Sequence, residues 1–103
     1  MSKISKTTAH NLARRAVSAP IGRGTSWMVC APWDASTVAG LRGPRTEIHT
    51  DSYSHALTQR TRCIVRIALT LLGYEDAEYL IEAQRYPSGN ARELLNACIR
   101  DNA

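Results

Sequence analysis

The sequence predicts a mixed α+β fold in which helices dominate: a short two-stranded antiparallel ribbon packed on about four helices, in the order α-β-β-α-α-α. Apolar residues recur with a 3.6-residue period in the helical segments, and two short alternating stretches separate the first helix from the others. Glycine and proline punctuate the segments between them. The chain has 103 residues, 44% of them apolar, which is enough for one core. We therefore expect a single domain over residues 1–103.

The first helix is expected to begin after Thr7 or Thr8 and to be stopped by Pro20, Gly22 and Gly24. Its apolar residues fall at i, i+3, i+4, i+7 and i+8, which is one face of a helix: Ala9, Leu12, Ala13, Ala16 and Val17. The remaining positions are expected to face water or a partner: His10, Asn11, Arg14, Arg15 and Ser18.

Two strands should follow the first helix. Residues 25–31 alternate with apolar residues on both faces, so we expect a strand covered on both sides that ends at Pro32. Residues 46–50 form a shorter strand with Ile48 pointing inward. Residues 33–45, with two glycines and a proline, read as a long loop, and the strands are expected to pair as a wide hairpin.

Three helices should complete the chain. Ser52 or Ser54 caps a long helix that runs to Leu72, and Gly73 suits the position after its end. A third helix starts near Glu75 and stops before Pro87, and Asn90 with Glu93 predicts the capping box of a fourth. The expected core comprises Trp27, Val29, Ile48, Leu57, Ile64, Leu71, Leu80, Leu94 and Leu95, together with Tyr53, Ile67 and Ala68 of the long helix and Ala91, Cys98 and Ile99 of the fourth.

Positive charge is concentrated in the first two thirds of the chain. Residues 1–66 hold ten basic and three acidic residues, whereas residues 67–103 hold three basic and six acidic ones. Arginine suits bidentate binding of phosphate or carboxylate groups better than lysine does. We therefore predict an acidic partner, bound by loop arginines, by an arginine ridge on the long helix and by one exposed aromatic residue: Arg23, Arg42, Arg45, Arg60, Arg62, Arg66 and Trp33. At least one of Arg62 and Arg66 is expected to pair with the acidic third helix.

Catalytic and metal chemistry find little support in the sequence. His49, Asp51 and His55 are close in sequence, but a zinc site needs three or four ligands in a fixed arrangement. No G-x-S-x-G elbow and no phosphate-binding loop are present, and Cys63 falls on an apolar helical stripe. We expect no enzyme, no metal and no cofactor. The odd set of three cysteines and the lack of a long apolar stretch favour a cytoplasmic protein without a membrane segment.

No family motif is matched. In size, domain organisation and arginine content the chain is typical of small phage and mobile-element proteins, many of which inhibit host defence by occluding a site, anti-CRISPR proteins among them. We therefore expect a non-enzymatic protein-protein interaction module that occludes a host protein or ribonucleoprotein complex. If the chain is phage-encoded, it should act in the host cytoplasm. Whether it contacts nucleic acid directly and whether it forms a homodimer are left open.

Two alternatives belong to other functional classes. The helices at 75–85 and 90–100 have helix-turn-helix proportions, and a small DNA-binding regulator would read bases with Arg92, Asn96 and Arg100, which recur every four residues. A structural or oligomerisation module would instead make a subunit contact through the long loop, at Trp33, Val38 and Leu41.

Overall fold

A computed structural model describes residues 4–32, 45–85, 87 and 89–101. It has the element order α-β-β-β-α-α-α: α1 Lys6–Ala16, β1 Ile21–Arg23, β2 Ser26–Pro32, β3 Arg45–Thr50, α2 Tyr53–Leu71, α3 Ala77–Glu82 and α4 Ala91–Asp101. The strands form one antiparallel sheet in the order β1-β2-β3. The fold is mixed α+β and dominated by helices, as predicted.

The prediction of a two-stranded ribbon is wrong, because β1 adds a third strand. Gly24, with a φ of 62°, lies in the tight turn that returns the chain into β2, and Arg23 pairs with Ser26 across that turn. The sequence suggested only that Gly22 and Gly24 follow the first helix. A three-residue strand with a glycine at its centre is too short to show an alternating pattern, so its pairing is set by the turn and by β2.

The sheet packs one face against α2. Val29 pairs with Ile48, and Val29 and Ala31 are buried. On the other face Met28 and Cys30 are half-buried. Pro32 ends β2 and is buried, and Arg45 opens β3 and donates from Nη1 to the backbone oxygen of Ala16 over 3.0 Å.

The central helix is α2, which contacts α1, α3, α4 and two strands. Ser52 caps it by accepting from the backbone N–H of His55 at 3.1 Å, and Gly73 follows with a φ of 96°, as the sequence predicted. The predicted burial is wrong at its first turns: Tyr53 is 50% exposed and Leu57 is 41% exposed, whereas Ala56 is buried. Farther along the helix Ile64, Ile67 and Ala68 are buried as predicted, so the error is confined to the first turns.

The remaining core predictions divide by position. Seven of the expected side chains are buried: Val29, Ile64, Ile67, Ala68, Leu94, Leu95 and Cys98. Six others lie at the border of the core and are only half-buried: Trp27, Ile48, Leu71, Leu80, Ala91 and Ile99. The apolar face of α1 is confirmed, with its alanines and Val17 buried. In the part of the chain that the structure describes, no helix is long and apolar enough to cross a membrane.

Candidate functional site

The predicted binding arginines do not share one surface. Arg23 lines a cavity on the outer face of the sheet, Arg62 and Arg66 line a groove between α2 and α3, and Arg60 faces α1. Arg45 is exposed at the start of β3. Trp33 and Arg42 lie outside the described residues, as do Val38 and Leu41 of the proposed subunit contact.

The groove between α2, α3 and the edge of the sheet carries both signs of charge. It has a volume of about 350 Å³, and we call it the mixed groove; its lining includes Thr46, Ile48, Gln59, Arg62, Arg66 and Glu78. Arg62 Nη2 lies 3.8 Å from Glu82 Oε1, which confirms the predicted pairing with the third helix. Because acids of α3 offset its arginines, this groove has less positive charge than the sequence suggested.

Cys63 also lines the mixed groove, but its environment does not favour the thiolate. Burial raises the pKa of this thiol, and that effect outweighs Arg66 and Arg62, which lower it. Burial likewise raises the pKa of Cys98, with a smaller contribution from Asp101. A nucleophilic cysteine requires the opposite shift.

The acid–histidine pairs near β3 form no larger cluster. His49 Nε2 lies 3.8 Å from Glu47 Oε1, and His55 Nδ1 lies 3.7 Å from Asp51 Oδ1. Among the described residues, no group of three or more histidine, cysteine, aspartate or glutamate side chains is placed to hold a metal ion.

A second concave surface, formed by three helices, is lined by four cationic side chains and by no carboxylate among the described residues. We call it the basic groove and define it by five residues: Lys6, His10, Arg14, Arg60 and Arg92. It consists of two adjoining cavities of about 430 and 170 Å³ that share His10 and Arg92. The three α1 residues recur every four positions, so they lie along one face of that helix.

Side-chain hydrogen bonds tie the three helices together around the basic groove. Arg60 Nε on α2 donates to the Ser18 backbone oxygen just beyond α1 over 3.2 Å. Thr61 Oγ1 donates to the Gly89 backbone oxygen before α4 over 3.1 Å, and Lys6 Nζ donates to Asn96 Oδ1 over 3.1 Å. These bonds link each of the three helices to another and so fix the spacing of the basic side chains.

The electrostatics of the basic groove favour an anion. Within the residues that the structure describes, no carboxylate forms an ion pair with Arg14, Arg60 or Arg92. The N-terminus of α4 opens beside these side chains, where Asn90 Oδ1 accepts from the Glu93 backbone N–H over 3.1 Å, and the positive end of a helix dipole adds to their potential.

His10 carries a polar atom that the fold leaves unsatisfied. Its Nδ1 is buried without a hydrogen-bond partner in the described structure, although the ring lines both cavities of the basic groove. Such an atom costs about 1–3 kcal/mol, and its presence in a native structure asks for an explanation. An unsatisfied histidine nitrogen beside three arginines is what a surface that binds a ligand would contain.

The basic groove combines residues that the sequence assigned to different hypotheses. Arg60 came from the predicted binding set, whereas Arg92 and the neighbouring Asn96 came from the DNA-reading alternative; Arg100 is exposed farther along α4 and pairs with Asp101 at 3.4 Å. Lys6, His10 and Arg14 were missed as site residues. Their four-residue spacing was the available signal, but the packing of α1 beside α2 and α4 gives it meaning.

Comparison with known proteins adds no relative: no protein-family model, no curated protein and no solved structure matches the chain.

Proposed function

We propose that the chain is a non-enzymatic binding protein. Its basic groove binds an acidic surface of a partner and thereby blocks that surface. The observation that carries the proposal is the convergence of Arg14, Arg60 and Arg92 from three helices on one concave surface, without carboxylate partners among the described residues. Guanidinium groups that have no carboxylate partner can bind carboxylates or phosphates through two parallel hydrogen bonds.

The partner in this proposal is a host protein or a ribonucleoprotein complex. The size of the chain and its arginine-rich charge favour an occluding inhibitor of the kind that phages and mobile elements direct against host defence, including anti-CRISPR proteins. Such an inhibitor needs a complementary surface and no chemistry of its own. The raised pKa of the Cys63 thiol agrees with a binding role, because it keeps this buried group in its unreactive protonated form.

A DNA-binding regulator remains the second candidate, favoured by the exposure of Arg92, Asn96 and Arg100 on α4. Two observations weigh against it. The helix before the turn, α3, has only six residues, and Asn96 already accepts a hydrogen bond from Lys6. A regulator would bind duplex DNA with a steep salt dependence, whereas an occluding inhibitor shows little affinity for naked duplex.

A matched pair of double variants tests the proposed function. The groove variant is Arg14→Glu with Arg92→Glu, and the control is Arg15→Glu with Arg100→Glu, which reverses two exposed arginines on the same helices outside the groove. Exposed charges contribute about 0–1 kcal/mol to folding, so both variants should keep a melting temperature close to that of the parent.

The measurement is quantitative capture of the partner from a host lysate, with and without nuclease. We expect the groove variant to retain about a tenth or less of the partner, corresponding to the loss of two charge-assisted contacts, and the control to capture as much as the parent chain. Equal capture by both variants, or loss only in the control, would place the contact elsewhere. A nuclease-sensitive signal with duplex-DNA affinity would favour the regulator.

A further inference from the structure

The strand β3 lies at the edge of the sheet. Its inner side pairs with β2, and no strand of the described chain pairs with its outer side. An open edge of six residues presents backbone donors and acceptors that can pair with another strand. β1, at the opposite edge, has three residues and offers much less.

The side chains of β3 divide cleanly between the two faces of the sheet. Ile48 pairs with the buried Val29, so Thr46, Ile48 and Thr50 lie on the face that packs on α2. Arg45, Glu47 and His49 lie on the outer face. Asp51 is the first residue after the strand. Positions at equal distance on either side of Ile48 carry opposite charge types. Glu47 and His49 are one residue away, and Arg45 and Asp51 are three residues away.

We propose that two copies of the chain pair through β3, antiparallel, about a two-fold axis at Ile48. In this register Glu47 of one copy faces His49 of the other, and Thr46 faces Thr50. Arg45 faces Asp51 and keeps its Nη1 hydrogen bond to the Ala16 backbone oxygen of its own copy, which leaves its other donors for Asp51. Each pair occurs twice, because a two-fold interface is isologous. Opposite charges and threonine pairs directly across antiparallel strands both stabilise a sheet.

Neighbouring registers are opposed by the same side chains. A shift by two residues in one direction places Glu47 opposite its own copy, and a shift in the other places His49 opposite its copy and Glu47 opposite Asp51. A shift by one residue turns the charged face of one copy onto the α2 side, which the alternation of a sheet forbids. The charge order of residues 45–51 therefore selects one self-pairing.

The mixed groove extends this self-complementary surface beneath the strand edge. Thr46 and Ile48 border it together with Arg62, Arg66 and Glu78, so its wall also carries both signs of charge. A six-residue strand buries less than a standard interface, so we expect a weak dimer with a dissociation constant on the order of 1–100 µM. None of these residues belongs to the basic groove, so this proposal stands or falls independently of the proposed function.

Charge exchange within β3 provides the test, read by sedimentation velocity over concentrations on the order of 1–500 µM. His49→Glu places two acids face to face, and Glu47→Lys places a lysine opposite His49. We expect each variant alone to dimerise at least about tenfold more weakly than the parent, since two attractive pairs are lost. An equimolar mixture of the two should form a heterodimer, because the acidic strand of one then faces the basic strand of the other.

Asp51→Arg gives a second route that does not depend on how β3 tolerates substitution. Asp51 lies outside the strand and its side chain is 95% exposed, so losing its contact with His55 should cost about 1 kcal/mol or less. The new arginine faces Arg45 of the other copy and weakens the dimer. Circular dichroism verifies the fold of every variant. A parent chain that stays monomeric throughout, single variants that dimerise as well as the parent, or a mixture that gains no dimer would each overturn the proposal.

Discussion

Trp27 lies across Gly22 of the neighbouring strand, with its ring edge-on to Tyr53 at a centroid distance of 4.8 Å. A Cβ atom added to Gly22 would approach the Trp27 ring to 2.9 Å, closer than real contacts allow. The sequence identifies Gly22 only as a helix breaker, because no local signal predicts that Trp27, five residues later, packs over it. Cross-strand contacts of this kind depend on the turn at Gly24.

Gly22→Ala is therefore expected to lower the free energy of unfolding by about 1–3 kcal/mol, the usual effect of forcing an extra methyl group into a packed contact. Gly89→Ala is the matched control, because a Cβ there meets nothing within 4 Å, and its effect should stay within about 0.5 kcal/mol. Urea unfolding followed by tryptophan fluorescence measures both values. A Gly22→Ala variant as stable as the control would show that Trp27 does not rest on this glycine.

At the level of elements, helix ends with a strong local signal were predictable and the others were not: α1 begins at Lys6, capped by Ser5, and not after Thr7 or Thr8, and α3 spans only Ala77–Glu82. The caps at Ser52 and Asn90 and the glycine at position 73 are local chemical signals, and the structure confirms them. The face of α2 was misjudged because Leu57 is a stronger apolar signal than Ala56. Burial in this helix is decided by the elements that surround it, and α1, which packs on α2, buries mostly alanines and so favours small residues at close contacts.

The exposure of the first turns of α2 predicts unequal effects of two truncations. Ile67→Ala should destabilise the fold by about 2–5 kcal/mol, since Ile67 is fully buried. Leu57→Ala should cost about 1 kcal/mol or less, because its side chain is 41% exposed and leaves little cavity. Thermal or denaturant unfolding distinguishes them. Equal decreases in the free energy of unfolding, or a larger decrease for Leu57→Ala, would show that Leu57 is buried as the sequence suggested.

For the whole molecule, the charge asymmetry predicted a basic surface but not its position. Arg60, Arg62 and Arg66 are close in sequence, yet Arg60 faces α1 while the other two face α3. Conversely, Arg14 and Arg92 are distant in sequence and line the same groove. The basic groove arises from the packing of three helices. Its residue types could be read from the sequence, whereas their grouping required the tertiary structure.

The central claim is that the basic groove is the anion-binding surface of this protein. Its most direct measurement is NMR of the arginine Nε–Hε groups during titration with two defined probes, a hexaglutamate peptide and a six-nucleotide single-stranded DNA. We expect at least one probe to shift the Arg14, Arg60 and Arg92 signals and to leave Arg15 and Arg100 unchanged, because only the first three line the groove. Shifts at Arg23, Arg45, Arg62 and Arg66 instead, or no response from the groove arginines to either probe, would contradict the claim.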